Sequence, residues 1–131
     1  MEKEELIPYW IDSSDRDFKA MEDLLENKHY TWSLFVGHLV IEKLLKAHYM
    51  KNIDAQPPLI HDLLRIAEKS KLELSDEQKD WLDTISTFNI KARYDDVKLK
   101  FYRKCSKEFT ELWIDRIKRT RKWIKDQLAK S

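Results

Sequence analysis

Three observations predict an all-α fold, an up-and-down bundle of five helices built on a four-helix core. The chain has one glycine and three prolines in 131 residues. That is too few for the turns of a β-sandwich or for a glycine-rich nucleotide loop. Charged residues reach 37%, and apolar residues recur at helical spacing along most of the chain. Residues 29–49, HYTWSLFVGHLVIEKLLKAHY, are apolar on nearly every side of a helical wheel. Trp32, Leu34, Phe35, Val36, Leu39, Val40, Ile41, Leu44 and Leu45 cover most of it. A helix that is apolar all round is a buried one, so this stretch is expected at the centre of the bundle. Its apolar run is too short and too broken by charge to cross a membrane. The length fits one domain, residues 1–131.

The other elements follow in order. Residues 1–11 read as a lead-in, broken by Pro8 and ending in the apolar plug Tyr9, Trp10 and Ile11. Ser13 or Ser14 is expected to cap a first helix over about 14–27, whose stripe is Phe18, Met21, Leu24 and Leu25. Asn27-Lys28 reads as a turn into the central helix, and the prolines at 57 and 58 mark a loop after it. Pro58 suits the first turn of a third helix over about 58–70, with Leu59, Leu63, Ile66 and Ala67 facing inward. Ser75 and Gln78 form a capping box for a fourth helix over about 76–90. Its apolar face is Trp81, Leu82, Ile85 and Phe88. Residues 89–96 read as a turn. One long last helix, about 98–128, should bury Tyr102, Cys105, Phe109, Leu112, Trp113, Ile117, Ile124 and Leu128. Five tryptophans are many for this length, and aromatic residues are enriched between subunits, so a homodimer is expected.

The net charge of +1 conceals an asymmetry. Residues 1–27 carry nine acids against three bases, and residues 116–131 carry seven bases against one acid. Either the two ends neutralise each other, or the last helix offers a basic surface to a phosphate-bearing partner. The single cysteine, Cys105, permits no internal disulfide and suits a reducing compartment. The first residues have neither a cationic nor an apolar leader segment, so a cytoplasmic protein is expected.

Motifs for established chemistries are missing from the sequence. It contains no P-loop, G-x-G-x-x-G, H-E-x-x-H, C-x-x-C or nucleophile elbow. His38 and Glu42 stand four apart on one helix, a spacing that can ligate a metal, but two ligands do not make a site. No metal and no cofactor are therefore expected. Glu42, Lys43 and Lys46 share one arc of the central helix, as a solvent window, a subunit interface or a site. His61 and Asp62 open the third helix. Asp62 there opposes the helix dipole, or His61 faces the same groove as the charged strip. Arg93-Tyr94 can grip a phosphate and stack on a base, or Arg93 can cap the fourth helix with Tyr94 as a lid.

Those residues carry a family resemblance. GHLVIEKLLKAHY (37–49) resembles the H-Q-A-x-E-K-x-L-K-A helix of the HEPN family, named for higher eukaryotes and prokaryotes nucleotide-binding. PPLIHDLLRIA (57–67) resembles its P-x-T-H-D-L segment, and ARYDD (92–96) its A-R-Y-P-D turn. The three occur in the family's order, and the resemblance covers about residues 10–128. Leu39 stands where the family often has glutamine, Ile60 where it has threonine, and Asp95 where it has proline. The resemblance implies a helical bundle, commonly a homodimer, that binds nucleotide or RNA phosphates. It also implies a nucleotidyltransferase partner in a toxin–antitoxin-like system. Lys43, Lys46, Arg93 and Tyr94 become candidate phosphate-binding residues, and His38, Glu42, His61 and Asp62 candidate groove-lining ones. Several branches of the family are RNases that use an R-x4-6-H motif. Here no histidine follows Arg93, so the usual base for attack by the 2′-hydroxyl is missing. A binding or regulatory module is the first expectation. An RNase in which Tyr94 or Tyr102 replaces the histidine is the second, and a purely structural partner the third.

Overall fold

The computed structural model describes residues 2–130, with the side chains of Asp95 and Asp96 outside the described set. Six helices run in chain order: α1 Lys3–Glu26, α2 Tyr30–Asn52, α3 Leu63–Lys69, α4 Asp76–Lys91, α5 Asp95–Lys104 and α6 Lys107–Lys130. The described residues contain no strand, and none of their helices is long and apolar enough to cross a membrane.

The expected central helix is central. α2 touches each of the other five helices, and 14 of its 23 residues are buried. Leu34, Val40, Ile41, Leu44, Leu45 and Ala47 are all fully buried. The chain's one glycine lies on α2 where three helices meet. A Cβ on Gly37 would stand 2.6 Å from Ile117 Cδ1 of α6 and 3.2 Å from Met21 Sδ of α1. Two buried serines join α1 to α2 through backbone carbonyls. Ser14 Oγ donates to Val40 O at 2.8 Å, and Ser33 Oγ to Met21 O at 2.9 Å.

Four expectations about elements need correction. α1 starts at Lys3 and runs through Pro8. A proline this near a helix start costs one backbone bond, and Trp10 and Ile11 beyond it pack against the core. Ser13 and Ser14 therefore cap nothing, being buried within α1. The third helix begins at Leu63, not Pro58, because Asp62 is its N-cap and accepts from Arg65 N at 3.2 Å. Residues before a proline resist the helical conformation, and Leu59 is 97% exposed, so it faces no core. The long last helix is two. Ser106 Oγ accepts from Phe109 N at 3.1 Å, an N-cap that restarts the chain as α6. Tyr102 and Leu112, expected inside, are exposed. The Ser75–Gln78 capping box forms in full, both bonds being present. The 27–28 turn also forms, with Lys28 at φ 64°.

The charge asymmetry resolves toward neutralisation. Asp15 of α1 pairs with Lys125 at 2.7 Å and Arg121 at 3.1 Å, and Glu22 pairs with Lys118 at 3.6 Å. Burial alone would raise the Asp15 pKa, but Lys125 and Arg121 outweigh it and hold the carboxyl below its ordinary value. Arg119 and Lys122 find partners on α6 itself, Asp115 and Asp126.

Candidate functional site

The charged strip of α2 becomes a four-residue network. Glu42 is 6% and Lys46 8% exposed. Lys46 Nζ donates to Glu42 Oε2 at 2.9 Å. On the other carboxylate oxygen, His61 Nδ1 stands 2.9 Å from Oε1. His38 Nε2 lies 3.2 Å from His61 O and 3.5 Å from Glu42 Oε1. Both neighbours of Nε2 are acceptors, which assigns the ring hydrogen to that nitrogen. His38 Nδ1 is buried without a hydrogen-bond partner.

The electrostatics follow from burial and partners. Burial pushes the Glu42 pKa up, but hydrogen bonds from Lys46 and His61 outweigh it and keep the carboxylate ionised below its usual range. Burial holds the His38 pKa down, against the opposing pull of the His61 carbonyl and Glu42. A saturated carboxylate and a neutral, fully buried imidazole are poorly placed for proton transfer to a ligand. The network instead fastens the loop before α3 to the central helix, and only the His61 side chain, 62% exposed, reaches far into solvent.

The remaining candidates separate. Lys43 turns to α1, with Nζ 2.6 Å from Asp17 Oδ2 and 2.8 Å from Ser13 Oγ. Asp62 caps α3. Arg93 and Tyr94 lie where α4 gives way to α5. Arg93 Nε donates to Asn89 O at 2.9 Å, and both residues are exposed. The Arg93 guanidinium carbon is 5.8 Å from the centre of the Phe35 ring and 5.5 Å from that of Tyr94.

From Phe35 the aromatic contacts continue along the outer face of α2. Phe35 meets Trp32 edge-on at 5.7 Å, and Lys98 Nζ of α5 stands 5.7 Å from the Trp32 ring centre. Trp32 and Lys98 in turn line an open groove of about 820 Å³ between the α1–α2 turn, the start of α2 and α5. Lys28, Leu99, Tyr102 and Arg103 line it too. Among the described residues no acidic one does. Sequence reading missed this groove, although a signal was present. Residues 98–104, KLKFYRK, hold four bases and a tyrosine with no acid between them, and a helix that buried this face would have needed the reverse.

Among the described residues, no group of three His, Cys, Asp or Glu side chains could hold a metal ion. No curated protein and no solved structure matches the chain. The HEPN domain matches residues 7–127, a span that includes the α2 network, the Arg93–Tyr94 corner and the groove. The chain therefore belongs to the HEPN domain family.

Proposed function

We propose that this HEPN protein is a binding module for nucleotide or RNA phosphates. The observation that carries the reading is the row of cations and aromatic faces, Tyr94, Arg93, Phe35, Trp32 and Lys98. Guanidinium and ammonium groups neutralise phosphates, and exposed rings stack on unpaired bases, so such a row suits a single strand. In this reading Arg93 and Tyr94 touch the ligand. Lys43 and Lys46, neutralised by Asp17 and Glu42, support the site from behind together with His38, His61 and Asp62.

The same reading includes a homodimer acting with a nucleotidyltransferase partner in a toxin–antitoxin-like system. Support for a second copy comes from exposed apolar side chains on α4 and α5, Ile90 (55%) and Val97 (37%). Light scattering on the purified protein, alone and mixed with the product of a neighbouring nucleotidyltransferase gene, measures both associations.

Fluorescence anisotropy with a short single-stranded RNA at low salt tests the binding function. Affinity should fall as salt rises, with a slope of about −0.7 per phosphate contacted. Arg93→Ala should weaken binding about tenfold, in line with the loss of one phosphate contact and its stacking. Absence of binding at low salt sinks the function, and an unchanged affinity in Arg93→Ala sinks the role of that residue.

A further inference from the structure

We propose that the groove between the start of α2 and α5 binds a nucleotide through a terminal phosphate, with its base stacked on Trp32 or Tyr102. The inference rests on the nucleotide-binding reading and adds the chemical form of the ligand and the place where it sits.

Charge is the first support. Lys28, Lys98 and Arg103 line the groove from the α1–α2 turn and from α5, and none of them forms an ion pair with a described residue. Five cations of α2 and α6 contrast with them. Lys43, Lys46, Lys118, Arg121 and Lys125 all have carboxylate partners. Three cations without a described carboxylate partner, around a concavity with no acid among its described lining residues, suit an anion of more than one charge.

Aromatic surface is the second support. Trp32 is 43% and Tyr102 68% exposed, and both line the groove. Large rings left this open in a chain that buries Phe88 and Phe101 are platforms for stacking. The volume, about 820 Å³, exceeds what one phosphate needs and falls in the usual range for organic ligands.

The groove's backbone favours the end of a strand over its interior. α2 starts without a side-chain cap at His29 and without an acid in its first turn, and Tyr30 and Thr31 of that turn line the groove. A phosphate monoester brings close to two charges and three free oxygens, whereas a diester brings one charge and two. The monoester therefore makes fuller use of three cations beside a helix start. Its source is either a free mononucleotide or the phosphorylated 5′ end of an RNA.

Anisotropy with two single-stranded RNAs of one sequence, 5′-phosphorylated and 5′-hydroxyl, both labelled at the 3′ end, decides the matter. The phosphorylated strand should bind about tenfold more tightly, as a charge-assisted contact to a dianion would give. Competition by AMP at the affinity of the strand identifies the free nucleotide as the source. Competition by the phosphorylated strand alone identifies the RNA end, and both results support the proposal. Arg103→Ala and Lys28→Ala should erase the preference for the 5′-phosphate, and Trp32→Ala should weaken both strands while leaving the preference. Circular dichroism verifies that these surface variants remain helical. Equal affinity for the two strands, or a preference that survives in Arg103→Ala and Lys28→Ala, overturns the terminal-phosphate site and leaves the general binding function standing. Failure of both strands to bind overturns both.

Discussion

Charge gathers beside α2 in two places and is treated in opposite ways. Around Glu42 the charges are consumed internally. Lys46 and His61 hold one carboxylate oxygen each, and little of Glu42 or Lys46 reaches water. At the start of the same helix, Trp32 and its neighbours Lys28, Lys98 and Arg103 line an open groove with no acid among its described residues. A buried ion needs its partners, since removing one leaves an uncompensated charge in a low dielectric. An exposed cation needs none, because water solvates it until an anion arrives. The first arrangement is therefore expected to govern stability, and the second binding.

Substitutions that unbalance the buried network should have the largest effect on stability. Glu42→Ala strands Lys46 and removes the tie to the His61 side chain in the loop before α3. A loss of about 2 to 3 kcal/mol, typical of hydrogen bonds to a buried charged group, should appear in urea unfolding. RNA affinity measured on the fraction that remains folded should change little. A large loss of affinity with unchanged stability would reverse the assignment of the two regions.

Gly37→Ala probes the crossing between them. A methyl group there runs into Ile117 Cδ1. Overpacking costs about 1 to 3 kcal/mol, and the better helix propensity of alanine returns about 1. A net destabilisation of about 1 kcal/mol should be seen, together with a lower midpoint of thermal unfolding. A stabilised variant would mean that Ile117 moves aside freely.

Acidification should act on the buried polar groups in two stages. Burial lowers the pKa of His38 and of His48 below 6.5, with Lys51 adding to the effect on His48. As pH falls through 6.5 the unfolded chain takes up these protons and the folded chain does not, so stability declines from neutrality downward. The depressed pKa of Glu42 acts at lower pH. Its contribution is complete above the ordinary value of 4.5 and disappears as pH drops through the folded value. Unfolding free energy measured from pH 8 to pH 4 should slope downward toward acid, and His38→Gln should reduce the slope between 7 and 6. A flat profile would show that neither histidine is held neutral.

The smallest effect on stability belongs to the groove. Lys98→Ala and Arg103→Ala should change unfolding free energy by less than about 0.5 kcal/mol, as surface substitutions do. Their consequence should appear in nucleotide affinity. A destabilisation near that of Glu42→Ala would place the groove's cations among the structural ones.

Much of this division could be read from residue order. Apolar periodicity placed α2 at the centre, the Ser75–Gln78 box located the start of α4, and the H-x3-EK and HDL segments marked the residues that meet around Glu42. These are local or one-dimensional signals, and local hydrogen bonding and helical wheels act on them directly. The errors arose where a distant partner outweighed a local tendency. Pro8 reads as a break until Trp10 and Ile11 find the core, and Ser14 reads as a cap until the Val40 carbonyl accepts its proton. The 98–128 periodicity reads as one helix until Ser106 begins another.

The all-α class and the identity of the buried helix follow from spacing alone, since a wheel that is apolar on every side leaves a helix only one place to go, and the family follows from the segments at 37–49, 57–67 and 92–96. Which charges are spent and which are free does not follow from spacing. Lys43, Lys46, Lys98 and Arg103 look alike along the chain. They differ because α1 brings Asp17 to one of them and Glu42 sits one turn from another, while among the described residues no acid lines the groove shared by the last two. Coulomb energy depends on distance through space, and only the packing of α1, α2 and α5 fixes those distances.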